Sequence, residues 1–437
     1  MIVHHFNTYP HGGAANAAAR LHAQMMERGV TSRLIYRHQN RVLNHPPGFE
    51  SIEFRSPPTP RWYRPFQRQR LKSRRRRIHQ QYDEQIAGRD PAWEVFSMAD
   101  LPEPTRLVER QAAADIIHLH WISFLADFPS FFQSIPSTTP IVWTLHDMNP
   151  FTGGCHYSQD CTRFRQGCGV CPQIVGGRSG DVSVTTFESK RLALRGKRIA
   201  VVAPSQWMIE LAESSPIWPS GTTFDVIRLG FELDRFRPLE SREARRQLGI
   251  SSEAILIGFG ADDIHNQRKG FQHLLGALRQ FRPERPVECL VLGGGQLELD
   301  DSRLPRIHGV GYLDTAEALA RFYSACDLVV VPSREDNQPQ IGLEAMACGR
   351  PVVAFDAGGI REYVIPNQTG YLADRGDEMG LARQIERMVA DDRGRKRMGR
   401  QARRLLETQF EIGAQTTRYV ELYQQLLAPR KSFRPAA

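Results

Sequence analysis

The sequence predicts an α/β protein of two doubly wound domains, with parallel sheets covered on both faces and a cleft between the domains. Its 437 residues suffice for two or three domains. Amphipathic stretches with helical spacing alternate with apolar runs, which is the order of parallel strands joined by crossover helices. The apolar runs are continuous, as expected of strands buried on both faces, and span 116–120, 141–146, 199–203, 255–260, 289–294, 328–331 and 352–356.

Interruptions of this alternation set the predicted domain boundaries. There are too many strand–helix units for one sheet, so a first domain is predicted over residues 1–238 and a second over residues 239–410. Within the first domain, residues 40–110 form a proline- and arginine-rich insertion that is expected to be irregular or only partly helical. Residues 151–175 form a cysteine-rich loop. A last amphipathic helix within 411–437 is expected to pack back on the first domain.

The positive charge lies in one segment. The formal net charge is +9, and residues 61–78 hold nine arginines and lysines and no acid, so the remainder is formally neutral. Such a segment can bind nucleic-acid phosphates or anionic lipid headgroups, or it can be a solvated loop. The interleaved Trp62, Tyr63 and Phe66 suit an interfacial segment. A membrane surface is therefore the predicted contact, and no nucleic-acid partner is expected.

The apolar runs are too short to span a membrane, and the first residues do not form a secretory signal. A cytoplasmic location, with peripheral contact to the inner face of the membrane, is therefore expected.

Two glycines follow the opening strand. Gly12 and Gly13 would let the backbone approach a bound group, and the helix after them, expected over 17–27, would offer free N–H groups to an anion. A tight turn without a ligand explains the pair equally well.

Two adjacent cations follow a strand of the second domain. Arg268 and Lys269 come between the strand at 255–259 and a helix from Phe271. This place suits a diphosphate, which arginine grips in a fork and lysine binds as a point charge, although a solvated charged loop has the same composition.

A polar loop and helix after the strand at 328–331 carry two carboxylates eight positions apart. Asp336 lies in the loop, and Glu344 lies about a turn inside a helix predicted to begin near Pro339 or Gln340 and to end at Gly349. Both carboxylates can face the cleft at the strand ends and accept hydrogen bonds from sugar hydroxyls. Simple helix capping by Asp336 is the alternative.

Four cysteines with the spacing C-x5-C-x6-C-x2-C are Cys155, Cys161, Cys168 and Cys171. Four thiolates can close a tetrahedral zinc site, which would be structural because no coordination position stays open. Disulfides and free thiols are the alternatives. The remaining cysteines stand in apolar contexts and are expected to be buried and inert: Cys289, Cys326 and Cys348.

Two histidines on the strand at 116–120 share one face. His118 is expected to be a satisfied core residue, whereas His120, at the carboxyl end of the strand, is expected nearer to the cleft.

Taken in chain order, these segments resemble retaining glycosyltransferases of family four. The segment from Asp336 to Glu344 is similar to the Glu-x7-Glu motif of that family. Further segments match in order at 12–13, 115–121, 142–147, 202–205, 234–238, 268–270 and 358–362. The cysteine segment 147–172 is similar to a subgroup that builds exopolysaccharides such as colanic acid.

The resemblance implies the GT-B fold, with two Rossmann-like domains facing across a cleft. It implies a retaining transfer of a sugar from a nucleotide-sugar donor to a glycan or lipid-linked glycan acceptor in polysaccharide biosynthesis. The first domain would hold the acceptor and the second domain the donor.

The same resemblance implies roles for single residues. Glu344 would bind the ribose hydroxyls of the donor, and Asp336 would contact the transferred sugar. Lys269, together with Arg268, would hold the diphosphate and stabilise charge on the leaving group. His146 would lie beside the reacting sugar. The remaining residues expected at the donor are Gly12, Gly13, Asn337, Gln338 and Ile341.

The chain departs from the family pattern in places. Asp336 stands where the family has glutamate, with Glu335 adjacent as a competitor for the role, and Ile264 stands where the family has an arginine. No Asp-x-Asp triplet occurs, so a divalent metal of that kind is not expected and the cations would neutralise the diphosphate. Two other functions stay open. One is a nucleic-acid-binding protein acting through 61–78, and the other is a nucleotide-sugar-binding protein that has lost catalysis.

Overall fold

The computed structural model describes residues 1–37, 49–51, 64–107, 109–250, 253–297 and 299–429. Arg61, Trp62 and Tyr63 of the predicted basic segment lie outside the described residues.

The first half of the chain contains seven strands, β1 Ile2–Asn7, β2 Thr31–Tyr36, β3 Phe49–Ser51, β4 Ile116–Leu119, β5 Ile141–Thr144, β6 Ile199–Ala203 and β7 Thr223–Val226. They form one sheet in the order β3-β2-β1-β4-β5-β6-β7, and every neighbouring pair is parallel. This is the order of a doubly wound fold. The first-half helices are α1 Gly13–Glu27, α2 Arg64–Gln85, α3 Glu109–Ala112, α4 Phe128–Gln133, α5 Val182–Leu194 and α6 Gln206–Glu213.

The second half repeats the arrangement with six strands, β8 Ile255–Asp263, β9 Val287–Gly294, β10 Arg306–Gly311, β11 Leu328–Val331, β12 Val352–Phe355 and β13 Gly370–Ala373. Their order is β10-β9-β8-β11-β12-β13, again entirely parallel. The remaining helices are α7 Ser241–Gln247, α8 Phe271–Gln280, α9 Ala316–Ala325, α10 Gln340–Ala347, α11 Glu378–Ala390, α12 Asp392–Gln409 and α13 Ile412–Leu427. The predicted pair of doubly wound α/β domains is confirmed.

Both faces of each central strand are buried, which explains why the strands read as continuous apolar runs. In β5, Ile141 and Trp143 pack into one core of the first sheet, whereas Val142 packs into the core on the opposite face. All four residues of β5 are buried, and burial of a side chain such as Trp143 contributes about 2–3 kcal/mol. The edge strand β10 has no fully buried residue.

The chain crosses between the halves twice. Leu229, Phe231 and Phe236 pack into the core of the second sheet, so the chain enters that core before residue 238. After α12 the chain returns, and Tyr419 and Tyr423 of α13 pack into the core on one face of the first sheet.

One helix begins earlier than the sequence predicts. Helix α1 begins at Gly13 and not at residue 17, because Gly12 caps it with φ 89° and its carbonyl accepts a hydrogen bond from the Asn16 amide at 3.0 Å. The arginine-rich insertion is partly helical, in agreement with the prediction, and contains the 22-residue helix α2. This helix is held by Ile78, which is buried, and by Arg74, which bonds Asp127 and the Leu101 carbonyl. Within the described ranges no helix is both long and apolar enough to cross a bilayer.

Candidate active site

A cavity of about 490 Å³ lies between the two sheets, at the carboxyl ends of their strands. Ligands of open parallel sheets bind at this end. The cavity is lined by all ten residues that the sequence placed at a donor or at the chemistry, namely Gly12, Gly13, His146, Arg268, Lys269, Asp336, Asn337, Gln338, Ile341 and Glu344.

A larger cavity of about 1160 Å³ lies at the opposite end of the second sheet. Ile255, Asp327 and Pro351, which line it, stand at the starts of β8, β11 and β12. Ten arginines and lysines also line this basic cavity. Because it lies at the amino ends of the strands, it is not the candidate active site.

Asp336 forms the centre of a buried charge cluster in the smaller cavity. Its Oδ2 accepts a hydrogen bond from Lys269 Nζ at 2.6 Å and lies 2.9 Å from Arg268 Nη1. Burial alone would raise the pKa of Asp336, but Lys269 and Arg268 outweigh it and lower that pKa below its ordinary value. The Asp336 side chain is therefore an ionised carboxylate between two cations. Gly358 permits the tight packing of this loop, since a Cβ there would lie 1.9 Å from the Asp336 carbonyl oxygen.

Arg268 is fixed from three sides. Its guanidinium carbon lies 4.1 Å from the centre of the Tyr157 ring, its Nε donates to Glu94 Oε1 at 2.5 Å, and its Nη1 donates to the Glu335 carbonyl at 3.0 Å. Asp336 raises the pKa of Arg268 although burial lowers it. The side chain thus presents a fixed positive charge at the cavity.

Glu335 and Asp336 face different surroundings. Glu335 lines a neighbouring cavity of about 190 Å³ together with Arg375, and its Oε2 accepts a hydrogen bond from the Gln159 amide at 2.7 Å. Burial raises the pKa of Glu335 to about 7. Of the two adjacent carboxylates, Asp336 is therefore the one beside Lys269 in the central cavity.

Glu344 lies on α10 and lines the same cavity. Tyr323 donates a hydrogen bond from its hydroxyl to Glu344 Oε2 at 2.7 Å, and burial raises the pKa of Glu344 above its ordinary value although Arg20 lowers it. Arg20 donates to Gln340 Oε1 at 2.7 Å, and Gln340 donates to the Gly13 carbonyl at 2.5 Å. These contacts join the start of α10 to α1 across the cleft.

The side chains of Asn337 and Gln338 link the two halves of the molecule. Asn337 donates through Nδ2 to the Leu145 carbonyl at 3.0 Å, and its Oδ1 accepts from Ser205 Oγ at 2.6 Å. Gln338 donates to the Pro204 carbonyl at 2.9 Å. Their amides are thus engaged with the first half, although both residues line the cavity.

A chain of histidines ends at the cavity. His5 Nδ1 lies 3.1 Å from His120 Nε2, and His120 Nδ1 lies 3.2 Å from His146 Nε2. Burial lowers the pKa of His146 to about 4, and burial with neighbouring imidazoles lowers the pKa of His5 and of His120 well below the ordinary value. All three rings are neutral at pH 7, so the tautomer of one constrains the next.

His118 is not part of this chain. Its Nδ1 lies 2.6 Å from the Tyr423 hydroxyl and its Nε2 lies 2.8 Å from Thr144 Oγ1, so both ring nitrogens are engaged in the core, as predicted.

Several residues of the site carried no clear signal in the sequence. Tyr157 belongs to the cysteine segment, Glu94 to the arginine-rich insertion, and Arg20 to the middle of α1. Asp147 immediately follows His146, and its Oδ2 accepts from Trp121 Nε1 at 2.7 Å and lies 2.6 Å from His156 Nδ1. Each of these contacts joins residues that are distant or in irregular loops, where periodicity gives no information.

The four predicted metal ligands lie apart from the central cavity. Cys155, Cys161, Cys168 and Cys171 line a separate cavity of about 20 Å³. No disulfide joins cysteines among the described residues, and Cys289, Cys326 and Cys348 are buried, as predicted.

Comparison with known proteins assigns a family. The chain is 32% identical over 328 residues to the D-inositol 3-phosphate glycosyltransferase of Pseudarthrobacter chlorophenolicus, and the alignment covers 70% of each protein. The chain belongs to the group 1 glycosyltransferases. The model of that family, described as glycosyl transferases group 1, matches residues 254–391. The chain spans about half the length of three other relatives with the same name, with alignments over 40%, 54% and 46% of those proteins.

Solved structures support the GT-B fold for this chain. Sucrose-phosphate synthase from Thermosynechococcus elongatus superposes with a TM-score of 0.64 at 21% identity, covering 97% of this chain and 98% of the other. The HepE protein of Anabaena in complex with UDP and glucose superposes with a TM-score of 0.63 at 17% identity, covering 97% and 100%. At these identities the likeness concerns the fold alone.

Proposed function

We propose that this chain transfers a sugar, with retention of configuration, from a nucleoside-diphosphate sugar to a glycan or lipid-linked glycan acceptor in polysaccharide biosynthesis. The observation that carries the proposal is that two kinds of group line one cavity. Arg268 and Lys269 line it from the turn after β8, and the buried carboxylate Glu344 lines it from α10. A diphosphate and a ribose present the complementary groups.

Donor binding begins with the diphosphate. Lys269 and Arg268 share Asp336 Oδ2, and diphosphate oxygens would compete with this carboxylate for the same N–H donors. Two cations supply the charge that a divalent ion would otherwise provide, which agrees with the lack of an Asp-x-Asp triplet in the sequence. The other end of the donor would meet Glu344, whose carboxylate accepts hydrogen bonds from two adjacent ribose hydroxyls. Structural neighbours of this chain were solved with UDP and with UDP-glucose, which supports this class of donor.

Catalysis would rest on charge stabilisation. As the sugar–phosphate bond breaks, negative charge develops on the diphosphate, and cations held in place stabilise that charge without reorganising. Lys269 and Arg268 are held by Asp336, Tyr157 and Glu94, so they are positioned before the donor arrives. The neutral His146 would exchange a hydrogen bond with a hydroxyl of the transferred sugar, in a tautomer set by His120. Asp336 would contact the same sugar.

The acceptor is proposed to lie at a membrane surface. On the described part of helix α2, Lys72, Arg76 and Arg77 are exposed, and Phe66 is 67% exposed. Ile78 is buried against the protein and the exposed side chains of the described part include several cations, so contact with anionic headgroups would be electrostatic, at about 1 kcal/mol per cation. Flotation with liposomes tests this contact. Recovery should fall when Lys72, Arg76 and Arg77 are replaced by glutamate, and equal recovery would contradict it.

A screen of nucleotide sugars by thermal shift, followed by mass analysis of products, tests the donor. Glu344→Gln should lower the affinity for the nucleoside diphosphate at least about tenfold, since two hydrogen bonds to a charged group are lost. The matched control Glu253→Gln replaces an exposed glutamate of the basic cavity and should bind as the wild type does. Equal affinity of Glu344→Gln and wild type would contradict the proposed donor site.

A further inference from the structure

The four cysteine side chains take no part in the proposed transfer reaction, yet they line one cavity. Cys155, Cys161, Cys168 and Cys171 all line one small cavity, although they are spread over 17 residues. A cavity of about 20 Å³ has room for about one water-sized particle, which is the scale of a single ion.

Two cations donate hydrogen bonds to neutral oxygens, most of them on residues close in sequence to the cysteines. Lys190 is fully buried, and its Nζ donates to three oxygens, the Asn149 carbonyl at 2.5 Å, Asn149 Oδ1 at 3.2 Å and the Thr152 carbonyl at 3.2 Å. Arg89 donates to the Gln173 and Glu94 carbonyls at 2.6 Å and 2.7 Å. Burying a cation against neutral acceptors is costly unless negative charge lies nearby.

Thiolates would add negative charge beside these cations. Lys190 lies near Cys155, Cys168 and Asp147, and Arg89 lies near Cys171, Cys155 and Glu94. A divalent ion held by four thiolates carries a net charge of −2, which the two cations would help to offset.

Backbone donors already point at the sulfur atoms. The Gly153 amide donates to Cys168 Sγ at 3.1 Å. The turn that carries the last two cysteines has positive φ angles at Gly167, Cys168, Gly169 and Val170. Hydrogen bonds to the sulfur atoms stabilise thiolates and orient metal ligands, whereas a neutral thiol gains little from them.

A second group of candidate ligands is less suited to a metal. Ring nitrogens of His5, His118 and His120 lie within 4.8 Å of one another, but both nitrogens of His118 are engaged by Tyr423 and Thr144. The rings of His118 and His120 are also stacked, at 4.2 Å and 27°, so their in-plane lone pairs do not converge. The cysteine sulfur atoms do not form such a close group among the described residues, so an ion would draw the four side chains inward.

We propose that Cys155, Cys161, Cys168 and Cys171 bind one zinc ion in a structural site. A site of four sulfur ligands suits zinc, and four protein ligands leave no position for substrate. On binding, each thiol loses its proton, so one zinc ion displaces four protons and forms four zinc–sulfur bonds.

The zinc site fixes a loop that reaches the cleft. Between the first two ligands, Tyr157 supports Arg268, the Gln159 amide donates to Glu335, and Asp160 pairs with Arg375 at 2.5 Å. These contacts join the loop to the second half of the molecule. Loss of zinc should therefore loosen the support of Arg268, a consequence that rests on the proposed function, whereas zinc binding itself does not.

Metal analysis of the chain, purified without added metal, tests the site directly. We expect about one zinc per chain, retained through dialysis and released when an organomercurial blocks the thiols. Cys161→Ser should lose most of the zinc, and Cys161 is half-buried, so the change leaves no large cavity. Cys161→His should retain it, because histidine is also a zinc ligand. The matched control Cys348→Ser alters a buried cysteine of the second half and should keep one zinc.

Cobalt offers a second measurement that does not depend on activity. Reconstitution with Co²⁺ should produce the thiolate-to-cobalt charge-transfer absorption and intense tetrahedral d–d bands in the wild type but weakened bands in Cys161→Ser. A chain free of metal with four titratable thiols would overturn the proposal. So would two disulfides among these cysteines, or iron with the visible absorption of an iron–sulfur cluster.

Discussion

Removal of the Lys269 charge gives the sharpest prediction about the site. Lys269 Nζ lies 2.6 Å from Asp336 Oδ2, and the Lys269 side chain is 25% exposed, so it is partly shielded from solvent. In the proposed reaction this ammonium stabilises charge that develops on the leaving diphosphate. Loss of one preorganised electrostatic contact typically costs about 3–4 kcal/mol in the transition state, so Lys269→Ala should lower kcat about 100- to 1000-fold.

The same substitution has a measurable effect on stability. It removes one charge-assisted hydrogen bond from the buried Asp336, while Arg268 stays as a partner at 2.9 Å. We expect the free energy of unfolding to fall by about 1–3 kcal/mol, which leaves a folded protein for assay.

Rates of nucleotide release, measured with the donor identified in the screen, provide the assay. Lys269→Arg keeps the charge and should retain more activity than Lys269→Ala. Lys396→Ala removes an exposed lysine of the basic cavity and should leave the rate unchanged. A folded Lys269→Ala protein whose kcat stays within about twofold of the wild type would refute the electrostatic role.

Three further predictions concern single residues. Tyr323→Phe removes the hydrogen bond to Glu344, so the KM for the donor should rise about fivefold when initial rates are measured. An unchanged KM would contradict the role of Glu344. Burial raises the pKa of Glu335 in the folded protein to about 7, so its contribution of about 3 kcal/mol to the free energy of unfolding is complete below the unfolded pKa near 4.5 and is lost as pH rises through 7. Denaturant titrations from pH 4 to 8 should show this fall in stability, and Glu335→Gln should flatten it. Equal pH dependence in the variant and the wild type would refute the assignment. Gly358→Ala places a Cβ 1.9 Å from the Asp336 carbonyl oxygen, whereas the control Gly196→Ala, at a similar positive φ, meets no atom within 4 Å. The melting temperature should therefore fall more for Gly358→Ala than for Gly196→Ala. Equal falls in melting temperature would show that backbone strain alone matters.

The sequence was sufficient for the fold and for much of the site. Continuous apolar runs identified central strands because those strands are buried on both faces, as β5 is. The carboxyl ends of parallel strands meet at one edge, so Lys269, Asp336 and Glu344 could be placed in one cavity without any distance information.

The remaining features depend on long-range packing. Tyr157 supports Arg268 from a loop of the other half, and His5 reaches His146 only through His120. Neither contact leaves a periodic signal. The different surroundings of Glu335 and Asp336 arise from the local path of an irregular loop, which residue type alone does not determine.

A crystal structure of the chain with a nucleoside diphosphate tests the central claim most directly. The account predicts the nucleotide in the central cavity, with diphosphate oxygens within hydrogen-bond distance of Arg268 and Lys269 and the ribose hydroxyls at Glu344. A nucleotide in the basic cavity at the amino ends of β8, β11 and β12, with the central cavity unchanged, would contradict it.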